Sequence, residues 1–122
     1  MVVLFTSILL LATPLQAGVI GTWKGESVCT VRESPCHDEV VVYDVTEAQG
    51  KLQWKAYKIV EGKEEWMGTL QCDHQAANQV AVCSIPRGQW EFHADGDSMT
   101  GTLKLTDGTL FRKVSAKRYQ RK

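Results

Sequence analysis

Among 122 residues, the densest cluster able to do chemistry is Ser34-Pro35-Cys36-His37-Asp38-Glu39. A histidine beside carboxylates can exchange protons with a substrate or supply part of a metal site. Successive side chains on a strand point to opposite faces, so only His37 and Glu39 could work on one side. A small exported enzyme using His37 and Glu39 is the chemical reading of this cluster; the polar start of a strand is the plainer one. His74 follows Cys72-Asp73 and His93 follows Phe92, and neither has sequence neighbours that complete a catalytic triad or a ligand set. No HExxH, phosphate-binding loop, EF-hand or nucleotide-binding glycine pattern occurs. The sequence therefore assigns no catalytic residue, no cofactor and no metal.

The four cysteines point to architecture rather than catalysis. Cys29 and Cys36 flank six residues, and Cys72 and Cys83 flank ten, spacings unlike those of a structural zinc site. Three disulfide pairings are formally open. Each of these two pairs spans one short connection between strand-like stretches, which favours Cys29–Cys36 and Cys72–Cys83. Disulfides imply an oxidising compartment, and the N-terminus agrees. Residues 2–15 contain no charge, and only Thr6, Ser7 and Thr13 are polar. Pro14 and then Gln16-Ala17 follow, as at the end of a cleaved export signal. The expected organisation is a signal peptide over 1–17, one domain over 18–117 and a basic tail over 118–122. The expected location is secreted or periplasmic.

Composition removes other classes. The 14 basic and 14 acidic side chains cancel, so nucleic acid is not an expected partner. After cleavage no apolar run has spanning length, so stable membrane insertion is not expected either. The charge is unevenly placed. Residues 18–111 carry 14 acidic and 8 basic groups, whereas residues 112–122 hold Arg112, Lys113, Lys117, Arg118, Arg121 and Lys122. Such an end could steer an anionic partner or lie over an acidic face of its own domain; a frayed polar tail is the simpler expectation.

These groups would be positioned by strands. After Gly18 no segment holds a helical apolar period, and short β-rich stretches alternate with turn signals. They run over 20–28, 39–45, 51–60, 64–72, 79–85, 89–94, 99–105 and 109–117. The pattern of the third slips after Ala56, as a β-bulge would cause. Eight strands joined by short links predict an all-β antiparallel meander closed into a small barrel, which removes exposed edges; a β-sandwich is the alternative. Trp54, Trp66, Leu70 and Trp90 fall on presumed inward faces, so they could line a site for a small apolar molecule. The competing expectation is an interior filled by side chains. A monomer is expected, with either a small apolar ligand or a protein as partner.

Gly21-Thr22-Trp23 opening the first strand, the meander, and Arg112 on the last strand together resemble the lipocalin-like barrels, the group that includes lipocalins and fatty-acid-binding proteins. The resemblance implies a barrel with an internal apolar site, closed at one end by the Trp23 indole with Arg112 packed over it. The chain is shorter than a lipocalin and lacks that family's C-terminal helix. Residues 29–38 leave no room for the helical lid of the fatty-acid-binding group. Small exported barrels that inhibit proteases or lysozyme share this size, so an inhibitor-like protein-binding barrel is a second function the resemblance allows.

Overall fold

The computed structural model describes residues 18–122; the segment read as an export signal lies outside the described residues. Eight antiparallel strands follow one another around a closed barrel, not a sandwich. They are β1 (Gly21–Cys29), β2 (Glu39–Ala48), β3 (Lys51–Val60), β4 (Lys63–Gln75), β5 (Val80–Ile85), β6 (Gly88–Asp95), β7 (Ser98–Leu105) and β8 (Leu110–Arg118). Two-residue turns join β2 to β3 at Gln49-Gly50 and β3 to β4 at Glu61-Gly62, with both residues of each at positive φ. That conformation matches the twist of the flanking strands. Closure comes from β1 pairing with β8, from Trp23↔Arg118 to Cys29↔Arg112.

Period-two alternation then sorts the side chains. Trp23, Tyr43, Val45, Leu52, Trp54, Phe92, Met99, Val114 and Ala116 belong to one buried core inside the barrel. The bulge anticipated after Ala56 is present, with the ladder passing from Ala56↔Gly68 to Tyr57↔Trp66. The extra residue, Met67, is on β4. Both disulfides, Cys29–Cys36 and Cys72–Cys83, have formed as the spacing favoured.

One end of the barrel is closed by the segment ahead of β1. The Trp23 indole is fully buried, and its Nε1–H donates to the Val19 carbonyl at 2.9 Å. The guanidinium lying over this ring, 4.0 Å from its centroid, belongs to Arg118 and not to Arg112. Arg118 also donates to the carbonyls of Ile20 and Gly18 at 2.6 and 2.7 Å. Beneath them the turn between β4 and β5 runs through Ala76, Ala77 and Asn78 at φ of 51°, 52° and 69°. Three successive non-glycine residues in the left-handed region cost about 1–2 kcal/mol each. The turn presents the Asn78 carbonyl to the Val19 N–H at 2.7 Å.

The basic tail is docked rather than frayed. Tyr119 N–H donates to the Thr22 carbonyl at 2.9 Å, and Lys24 stands over the Tyr119 ring. Arg121 reaches Asp44 on β2 and Glu64 on β4, each at 2.9 Å or less, and lies over Tyr57. The tail thus covers an acidic part of its own outer wall. Hydrogen bonds from Arg121 hold both carboxyls below their ordinary ranges, with Thr22 assisting at Asp44. Both groups therefore stabilise the fold above their unfolded pKa values, and that contribution is lost as the pH falls through their lower folded ones. Arg121→Ala is expected to cost about 1 kcal/mol at pH 7, since the groups are partly exposed and screened. In urea titrations the gap to the parent should narrow below about pH 4, leaving only the Tyr57 contact once both carboxyls are protonated.

Candidate functional site

The end opposite Trp23 is hollow. A cavity of about 340 Å³ is bounded by Trp54, Ala56, Leu70, Trp90 and Phe92, with Tyr43 beside them and Ser27, Glu39, Met67 and Arg112 also lining it. Its floor is a run of aromatic rings. Trp54 and Phe92 stack at a centroid distance of 4.0 Å, and Trp90 and Phe92 at 5.4 Å. Tyr43 meets the edges of this group at 5.4 and 5.6 Å from Trp54 and Phe92. Gly101 makes the stack possible, because a Cβ there would stand 2.5 Å from a Phe92 ring carbon. Gly68, at φ 152°, carries the β4 bulge, and a Cβ there would meet nothing within 4 Å.

Of the four residues read as ligand-lining, the structure brings together Trp54, Leu70 and Trp90. Trp66 is a correction: it is 66% exposed on the outer wall. Counting back in twos from Leu70 through Gly68 places Trp66 inside, but the extra residue at Met67 reverses the parity. Met67 takes the cavity position instead.

Arg112 is the second correction. It does not cover Trp23; it lies at the hollow end, where it donates to Ser27 Oγ at 3.1 Å and to the His37 carbonyl at 3.0 Å. Glu39 is 3.8 Å away. Arg112, Val114, Ala116 and Arg118 occupy alternate positions of β8, so both arginines belong to the inward series. They are separated by about 20 Å of strand. One closes the barrel and the other gives its cavity a charged rim. Burial, with the Glu39 carboxylate adding to it, pushes the Tyr43 phenol well above its ordinary range, while Arg112 pulls the other way. Tyr43 therefore remains a neutral hydroxyl.

The proton-transfer pair is not assembled. Glu39 lines the cavity, whereas His37 borders a separate depression with Cys29, Cys36 and Asp38. His93 is exposed and meets Glu91 at 3.1 Å. Sequence reasoning missed Tyr43, Phe92, Met67, Ser27 and Glu39 as cavity residues. For Tyr43 a signal was present: Asp44 on the solvent side of β2 requires Val41, Tyr43 and Val45 to face inward.

No family model and no curated protein matches the chain. Among solved structures it is similar to the zebrafish ileal bile acid-binding protein crystallised with cholic acid. That similarity has a TM-score of 0.46 and 16% identity, and it covers 82% of this chain and 98% of the other.

Proposed function

We propose that the protein is an exported, non-enzymatic monomeric barrel that holds a small, largely apolar molecule at its hollow end. The observation that carries this reading is the cavity of about 340 Å³, with Trp54, Leu70 and Trp90 among its walls. Ligand sites commonly begin near 300 Å³ and combine apolar walls with a few polar groups. Here the stacked rings supply the apolar surface, and Arg112, Glu39 and Ser27 supply a polar end. The ligand class is thus a compact molecule with one polar group. The two disulfides are compatible with an oxidising destination.

Native mass spectrometry of the exported protein should reveal a retained small molecule, and the disulfide-intact protein should bind an apolar fluorescent probe. Ala56→Phe fills the cavity from its wall and should weaken probe binding at least tenfold while leaving the unfolding transition cooperative. Unchanged probe affinity in that variant would overturn the reading. A protein-binding role is favoured by a separate observation, the exposed Trp66 beside the bulge. Trp66→Lys should abolish such a contact without altering probe binding, which separates the two.

A further inference from the structure

The closed end holds a buried acceptor that lacks a donor. Asn78 Oδ1 has no hydrogen-bond partner among the described residues. Beside it, Gly18 runs so close to the 76–78 turn that a Cβ would stand 2.1 Å from the Asn78 carbonyl oxygen and 3.1 Å from Asn78 Cβ. Only glycine permits this approach. Val19 N–H is bonded to the Asn78 carbonyl, and the Gly18 carbonyl is held by Arg118. Gly18 is therefore fixed between two elements. In the uncut chain its nitrogen is a peptide nitrogen with a single hydrogen, fixed in the peptide plane.

We propose that hydrolysis of the Ala17–Gly18 bond completes the closed end of the barrel, the new α-ammonium of Gly18 becoming the donor to Asn78 Oδ1. The inference rests on the export reading of residues 1–17 and not on the ligand reading. A signal peptidase supplies the cut and water the atoms. The hydroxyl joins the Ala17 carbonyl carbon, a hydrogen joins the Gly18 nitrogen, and that amine binds a further proton at neutral pH. The product carries three hydrogens that rotate about the N–Cα bond, so their direction is set by the nearby acceptor rather than by the peptide plane. Hydrogen bonds from charged donors are also stronger than neutral ones. Arg118 is the neighbouring cation, and the Asp97 carboxylate offsets part of its charge. The strained turn that positions Asn78 thereby gains a role: it makes the folded barrel most stable only after processing.

The test compares a chain beginning at Gly18 with one that retains Ala17, each carrying either Asn78 or Asn78→Gly. Glycine tolerates the φ of 69° while removing the acceptor. With Asn78, the extra alanine should raise the unfolding equilibrium constant about tenfold, as expected for a lost bond to a charged group. In Asn78→Gly the same alanine should have almost no effect. Asn78→Asp keeps an acceptor and should preserve the difference, which provides a second readout if the glycine variant does not fold. Equal stability of the two termini, or an equal effect of alanine in both backgrounds, overturns the seating. Terminal sequencing of exported protein that begins anywhere but Gly18 overturns the processing assignment.

Discussion

Trp23→Ala should destabilise the protein by about 3–5 kcal/mol, the range for removing a fully buried large aromatic and leaving a cavity. The site has little freedom to collapse. The indole is enclosed by Val19, by its rung partner Tyr43 and by the Arg118 guanidinium. Arg118→Ala should cost less in total but should be strongly coupled to Trp23. Its contact with the ring is worth about 1–2 kcal/mol when desolvated, and that part disappears once the ring is gone. A double-mutant cycle in urea isolates the coupling. Arg112→Ala serves as the control, because Arg112 lies at the other end of β8 and its loss should add independently to that of Trp23. Coupling of Trp23 to Arg112 rather than to Arg118 would contradict the closure described above.

The contrast between these arginines shows which features were legible in the sequence. Strand number, meander order and closure could be read because the turn signals recur and each strand alternates. Even the inward face of β8 was readable, since Val114 and Ala116 share a parity with both arginines. Which end of the barrel each reaches depends on register with β1, and register is a long-range property that a single strand does not encode. Trp66 illustrates a different limit. The slip after Ala56 was visible on β3, but the extra residue lies on β4, and one residue there exchanges the inner and outer faces. The cavity was less legible still. Its size depends on how far Arg112, Met67 and the ring stack leave space between them, which no periodicity reports. The tail looked frayed because its partners, Asp44 and Glu64, lie far back in the chain.

Removing the Cys72–Cys83 disulfide with Cys72→Ala and Cys83→Ala should cost about 2–5 kcal/mol, well beyond the cost of Cys29→Ala with Cys36→Ala. Loop length does not explain the difference, because the entropy term grows only logarithmically and the separations are 11 and 7 residues. Position does. Among the described residues β4 and β5 pair only over Asp73↔Val82, His74↔Ala81 and Gln75↔Val80. Cys72 and Cys83 are the next residues along, so their bond holds the two strands together where the ladder stops. Both are buried in the core, and the residues of β4 beyond them line the cavity. The outer disulfide instead ties down a largely exposed connection between β1 and β2. Loss of the inner bond should therefore weaken the wall locally as well as lower global stability. Hydrogen exchange should accelerate in β4 and β5 before the rest of the barrel, and probe binding should fall with it. Equal destabilisation by the two double substitutions, with uniform exchange around the barrel, would show that the β4–β5 seam does not depend on this bond.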